Sequence, residues 1–208
     1  CKKGYGTNEG IRANAASGGM VTSLLCNLLK HGDIDGAWVT KTDFVNGELT
    51  YKTYVATTEE EIRDASSSVY MTIPLLKHID VIKNFNGKVA VVMTPCMLRG
   101  LDAILKKDDA LREKVGLYCS GAHSPKATTL SMEKSGIPSE DATRLYYRRG
   151  HWRGTSSVIY KDGSEKQFSY SKTICAYKNA YFFEKDSCMY CQDHYANSSD
   201  ISFGDIWL

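Results

Sequence analysis

The chemistry in this sequence gathers on cysteine. Cys188-Met189-Tyr190-Cys191 presents two thiolates from one tight turn, which suits a tetrahedral metal, an iron–sulfur cluster or a dithiol. Two thiolates do not complete a site for a tetrahedral metal or a cubane cluster, so further ligands must come from elsewhere in the chain. Cys96 follows Thr94-Pro95 at the end of an apolar run, and Cys119 ends a second run 23 residues later. Together with Cys188 and Cys191 they make a Cys₄ set able to take zinc or a 4Fe-4S cluster. Structural zinc usually uses two close pairs of ligands. Here one pair is close and two ligands stand singly, which favours a cluster. A thioredoxin-like dithiol normally stands at a strand-to-helix turn, whereas Cys188 follows a predicted helix. Cys26 lies on an apolar helix face and reads as a core residue. Cys1 and Cys175 fall at the terminus and within a predicted helix.

A second candidate site precedes the first strong helix. Ser17-Gly18-Gly19 runs into a stretch with apolar residues at 20, 21, 24, 25, 28 and 29. With Ser17 as N-cap, the two glycines let a phosphate approach the free N–H groups of the first turn. On spacing alone, a glycine-loosened cap with no ligand is the plainer reading. The loop Arg148-Arg149-Gly150-His151-Trp152-Arg153-Gly154 is cationic and aromatic. It is able to hold an anion, but taken alone it reads as a solvated basic loop.

The elements that must position these residues follow from periodicity and turn chemistry. A helix over 20–30 ends at Gly32, and short strands are expected at 37–40 and 49–55 on either side of an Asn46-Gly47 turn. Thr58 caps a short acidic helix, 66–70 is a polar loop, and Pro74 opens a helix to about Asn84. The run 88–93 suits a strand covered on both faces, followed by a helix over 97–107 and a strand over 114–118. In such a parallel βαβ unit, Cys96 and Cys119 both emerge at the carboxyl ends of neighbouring strands, the edge where open α/β sheets bind ligands. Ser124-Pro125 starts another helix to about Ser135. Strands at 143–148, 156–160 and 164–170, the last two joined at Asp162-Gly163, form a meander, and a helix over 173–184 leads to Cys188. The expected fold is α/β with α+β elements: a mixed sheet with parallel βαβ units and flanking helices, plus a C-terminal antiparallel meander. One domain is expected over 1–208, with a candidate sub-domain boundary near 136–142.

Composition narrows the function classes. A net charge of +2 gives no electrostatic case for nucleic acid, and no apolar run approaches the roughly 20 residues of a membrane span. Seven cysteines without an apolar leader point to a reducing, cytoplasmic setting. The chain starts without Met and stops one residue after Trp207, ends expected of a fragment of a longer protein.

Five stretches in order carry a family resemblance. They are Ser17-Gly18-Gly19-Met20-Val21-Thr22, Thr94-Pro95-Cys96-Met97-Leu98-Arg99-Gly100-Leu101, Gly116-Leu117-Tyr118-Cys119-Ser120-Gly121, Tyr147-Arg148 through Gly154, and Cys188 to Asp193 with Asp200 to Asp205. The chain resembles the beta-subunit family of coenzyme F-420 hydrogenases and dehydrogenases, which includes deazaflavin-linked reductases and the plant 7-hydroxymethyl chlorophyll a reductase. The resemblance implies an oxidoreductase that passes electrons between coenzyme F-420 or another small-molecule hydride donor, FAD and a 4Fe-4S cluster. It implies Cys96, Cys119, Cys188 and Cys191 as cluster ligands. Ser17, Gly18, Gly19, Thr22, Tyr70, Thr94 and Pro95 are implied as flavin contacts. It also implies a ferredoxin-like or hydrogenase/dehydrogenase partner subunit, and no side chain is nominated as a general acid or base. Two positions depart from the pattern: Val69 stands where Lys is common, and Met97 where Gln is common. A zinc-stabilised, redox-inactive binding module of the same fold and a CxxC dithiol reductase are the competing readings.

Overall fold

Apolar runs rich in β-branched residues and separated by turn residues build two sheets in the computed structural model, which describes residues 1–105, 111–150 and 154–205. His151, Trp152 and Arg153 of the basic loop, the expected helix end at Lys107, and Trp207 lie outside the described residues. The chain opens with α1 (Glu9–Asn14), capped by the Asn8 side chain, and α2 (Met20–His31), which ends at a left-handed Gly32. Strands β1 (Gly36–Val45) and β2 (Glu48–Ala56) form a hairpin across Asn46-Gly47, both with positive φ as a type I′ turn demands. The first strand is longer than its apolar run because β2 pairs along its full length, through the polar Lys41-Thr42-Asp43 stretch.

Helix α3 (Glu59–Asp64) is capped by Thr58 as expected, and Glu61 reaches back to complete a capping box. The single helix expected from Pro74 to Asn84 is instead a 3₁₀ turn, Leu75–His78, followed by α4 (Asp80–Lys83). Splitting the segment lets Leu75, Leu76, Ile79 and Ile82 all pack against the Trp38–Val91–Leu98 cluster. Strand β3 (Val89–Met93), helix α5 (Pro95–Ile104) and strand β4 (Leu111–Leu117) form the expected parallel βαβ unit. Helix α6 (Pro125–Lys134) starts at a Ser124 cap, as read. Strands β5 (Ala142–Arg149), β6 (Thr155–Tyr160) and β7 (Glu165–Phe168) make the antiparallel meander.

Helix α7 (Ile174–Asn179) stops short of the expected Glu184, because Tyr181 and Phe183 adopt left-handed backbone that no α-helix continues. A one-turn helix, α8 (Asp186–Met189), then carries Cys188. Strand β8 (Ile201–Phe203), which periodicity did not mark, adds in parallel to β4 and completes the order β2-β1-β3-β4-β8. Asp200 fixes that strand by accepting from Lys114 N at 2.7 Å while its own N–H donates to Lys114 O at 2.9 Å.

Strand alternation assigns the core. Ala37, Val39 and Ala90 face the cluster that includes Leu25, Cys26 and Ile62 of α2 and α3, while Trp38, Val89, Val91 and Met93 face α4 and α5. Both faces of the sheet are therefore covered. Burying each large side chain here contributes about 1.5–3 kcal/mol. The meander has its own core around Leu145, Tyr147, Val158, Met132 and Ile174. Thr42 joins the two sheets: its hydroxyl donates to Leu145 O at 2.6 Å and accepts from Leu145 N at 3.0 Å.

Candidate functional site

Parallel pairing places Met93 opposite Gly116, so β3 and β4 release the chain side by side at one sheet edge. Thr94 then takes the N-cap position of α5, and Pro95, with no N–H to lose, fills the first turn and is buried. Cys96 follows in that turn, exposed, with Thr94 Oγ1 at 3.7 Å from its sulfur. Cys119 is half-buried just past β4, and its thiol donates to Gly121 O at 3.8 Å. Burial raises the Cys119 pKa, and the neighbouring Cys96 and Cys188 thiols push it the same way. Two of the other three expected cysteines thus lie near Cys119.

The Cys188–Cys191 turn is tethered to both strand ends. Cys191 N donates to Cys188 O at 3.2 Å, closing the turn. Asp193 pairs with Arg99 of α5 at 3.3 Å, the helix that carries Cys96. Cys119 N donates to His194 O at 3.0 Å, and His194 Nδ1 lies 2.8 Å from Cys119 O. All seven cysteines are free thiols. Among the described residues, no group of three or more His, Cys, Asp or Glu side chains is arranged to hold a metal ion.

The glycine-rich helix start differs from its expected form. Gly19, left-handed at φ 70°, is the N-cap of α2, and Ser17 is an exposed loop residue that caps nothing. Ser17 stands two residues before the cap position, and Gly19 takes up the reversal at no steric cost. The close approach allowed by Gly18 is used by the chain itself: Gly6 N donates to Gly18 O at 2.7 Å, and a Cβ on Gly18 would sit 3.3 Å from Tyr5 Cα. Thr22 is buried in the first turn of α2.

Tyr70 sits in an aromatic stack that reaches this region through Arg148. Its ring lies 5.3 Å from that of Tyr147 and 5.7 Å from that of Tyr170, with Lys178 Nζ 6.0 Å from its centroid. Burial holds the Tyr147 and Tyr170 phenols well above the ordinary tyrosine range, so both stay protonated at neutral pH. Arg148 Cζ is 5.9 Å from the Tyr170 centroid, its Nε donates to Ala16 O at 2.8 Å, and its other end pairs with Asp205. Cation, aromatic stack and glycine loop are therefore continuous. Neither Arg148 nor Asp205 stood out in the sequence as a connector, since their contacts lie far apart along the chain. A cavity of about 300 Å³ beside this stack is lined by Ala13, Arg149, Gly150, Gly154 and Gln167, so part of the basic loop faces a hollow.

Cys96, Cys119 and the Cys188–Cys191 turn thus stand near the carboxyl edge of an open α/β sheet, all as free thiols. Residues 86–207 match the model for the C terminus of the coenzyme F420 hydrogenase/dehydrogenase beta subunit, and residues 1–80 match the model for its N-terminal part. The chain belongs to this family of oxidoreductase subunits. It is 26% identical over 204 residues to an uncharacterized protein of Methanocaldococcus jannaschii, covering 93% of this chain and 53% of that one. It is also 26% identical over 208 residues to the coenzyme F420 hydrogenase subunit beta of Methanococcus voltae, covering 96% of this chain and 70% of that protein. The chain thus spans about half to two thirds of these relatives' length. A chain of the F420-reducing [NiFe] hydrogenase complex from Methanosarcina barkeri superposes with a TM-score of 0.70 at 24% identity, covering 97% of this chain and 68% of that one, which shows the shared fold. Among the described residues, no helix is long and apolar enough to cross a membrane.

Proposed function

We propose that this chain is an electron-transfer oxidoreductase subunit that works with FAD and a 4Fe-4S cluster, using coenzyme F-420 or another small-molecule hydride donor. The observation that carries the reading is the placing of Cys119: half-buried at the carboxyl end of β4, it has the sulfurs of Cys96 and Cys188 near enough to raise its pKa, and its backbone is hydrogen-bonded to His194, just past the Cys188–Cys191 turn. The donor set fits a cluster chemically, since all four sulfurs are free and four thiolates are the usual ligands of a 4Fe-4S centre. A bound flavin supplies exchange between two-electron and one-electron steps, and a bound cluster supplies single-electron transfer.

The chain's own residues do the holding. Cys96, Cys119, Cys188 and Cys191 take the cluster. Pro95 sets the first turn of α5 that presents Cys96, and the Arg99–Asp193 pair keeps the CxxC turn against that helix. Ser17, Gly18, Gly19, Thr22, Tyr70, Thr94 and Pro95 contact the flavin, with Arg148 bracing the Ala16 carbonyl next to the glycine loop. No side chain serves as general acid or base. The subunit hands electrons to a ferredoxin-like or hydrogenase/dehydrogenase partner in the cytoplasm, and residues 1–208 act as one domain.

Iron analysis after anaerobic reconstitution tests this reading. The parent protein is expected to take up about four irons per chain, the content of one 4Fe-4S cluster. Cys96→Ser and Cys191→Ser are each expected to lose most of that iron while keeping the parent's far-ultraviolet circular dichroism. One zinc per colourless chain, unchanged by Cys96→Ser, would overturn it.

A further inference from the structure

A cavity of about 420 Å³ opens where the β1–β2 hairpin, the end of α3 and strands β5 and β6 meet. Its lining includes three cations, Lys41, Lys52 and Arg144, and two carboxylates, Asp43 and Asp64. None of the residues assigned above to the flavin or the cluster is part of that lining.

The charges are unevenly matched. Lys41 pairs with Asp64. Lys52 stands directly opposite Lys41 in the antiparallel pairing, and the two ammonium groups lie 5.6 and 5.9 Å from the Tyr54 ring centroid. Like charges facing each other across a strand pair destabilise it. Among the described residues, neither Lys52 nor Arg144 forms an ion pair with a carboxylate.

Arg144 is the stronger case, because it is only 8% exposed. Its guanidinium reaches neutral carbonyls: Nη1 donates to Thr42 O at 3.3 Å, and Nη2 donates to Asp64 O at 2.7 Å and Ser66 O at 3.3 Å. Nε is buried and has no partner among the described residues. Cζ lies 5.1 Å from the Tyr146 centroid, a ring that Arg149 Cζ also approaches at 4.5 Å. Carbonyl oxygens satisfy donors but bring no net charge, and the Asp64 carboxylate is already engaged by Lys41. A buried cation without a counter-charge is costly, and burial pulls the Arg144 pKa down.

We propose that this cavity is an anion site, in which Lys52 and Arg144 receive the dianionic phosphoryl group of a small phosphorylated ligand or of free phosphate. Lys52, exposed and free of any carboxylate, offers N–H donors to the phosphoryl oxygens. Arg144 contributes fixed positive charge from the cavity wall. A dianion also gives Lys41 and Lys52 a shared counter-charge, which turns their opposition into a clamp. The volume leaves room for an organic group beside the phosphoryl oxygens.

Isothermal titration calorimetry at pH 7.5 and constant ionic strength tests this, with inorganic phosphate and glycerol 3-phosphate as probes and succinate as control. Neither flavin nor cluster is needed. The parent is expected to bind a phosphate probe, and Lys52→Gln to bind it about tenfold more weakly, the effect of losing one charge-assisted hydrogen bond. Lys126→Gln, an exposed change on α6 outside the lining, is expected to bind like the parent. Melted without phosphate, Lys52→Gln is expected to be at least as stable as the parent, since it relieves the opposition to Lys41. Tighter binding of glycerol 3-phosphate assigns the cavity to a phosphomonoester, and tighter binding of inorganic phosphate assigns it to the free ion; both uphold the site. Binding of neither probe, equal binding by Lys52→Gln, or succinate held as tightly as phosphate overturns it. A Lys52→Gln protein that melts below the parent without phosphate gives Lys52 a structural role and also overturns it.

Discussion

Arg148 and Asp205 are 57 positions apart in the chain and meet as an ion pair in which the arginine side chain is only 6% exposed. The same guanidinium holds Ala16 O through Nε, so one residue of β5 ties the C-terminal motif to the glycine-rich loop. Burial pulls the Arg148 pKa down, but Tyr70, Asp205 and Tyr170 more than offset it, and the net direction is upward. The cation is fixed at every physiological pH.

Asp205→Asn removes a charge partner of a buried cation. The carboxylate is 31% exposed, so water absorbs part of the loss, and the expected destabilisation is about 1–3 kcal/mol. Urea unfolding of parent and variant measures it. A midpoint unchanged within error would mean that the pair contributes no stability.

Thr42→Val is expected to cost about 2–3 kcal/mol, because both Leu145 N and Leu145 O lose their bond to the Thr42 hydroxyl in the seam between the sheets. Thr42→Ser keeps the hydroxyl and is expected to lose far less. Equal melting temperatures for the two variants would contradict the assignment of that hydroxyl as the seam.

His123 gives a pH signature. Burial, with Lys178 adding to it, holds its pKa below the ordinary 6.5, so the folded ring stays neutral where the unfolded ring takes a proton. Between those two values the unfolded chain binds more protons, so stability falls as pH drops through about 6.5 and stops falling from this source below the folded value. Melting curves at pH 7.5 and 5.5 are expected to show a larger acid loss for the parent than for His123→Gln. Parallel losses would contradict a buried neutral imidazole.

Thiol labelling ranks the cysteines. Cys96 is exposed, whereas Cys26 is buried and its pKa is raised, first by burial. Brief iodoacetamide treatment followed by mass spectrometry is expected to modify Cys96 well before Cys26 or Cys119, whose pKa burial also raises. Early labelling of Cys26 would show that α2 does not pack as described.

Much of this arrangement was legible in the sequence, for local reasons. The 88–93 run, Asn46-Gly47 and the Thr58 cap each act within a few residues, and each formed as read, while the helix expected from Met97 starts two residues earlier because Pro95 suits its first position. Two strand-end cysteines 23 residues apart also required only one βαβ unit. What stayed hidden depends on distant contacts. Strand β8 is three residues long and is held by Asp200 pairing with Lys114. The early end of α7 comes from left-handed aromatic residues, where no glycine marks a break. Ser17 has the right chemistry for a cap, but the helix begins after Gly19. His123, Thr72 and Glu184 are ordinary residues until three separate segments bury them together.

The most direct test of the central claim is an anaerobic absorption spectrum of the reconstituted protein, with iron and flavin assayed on the same sample. The account predicts a brown-yellow protein with flavin bands over a broad cluster absorption, and about four irons and one flavin per chain. A colourless protein with neither iron nor flavin would contradict it.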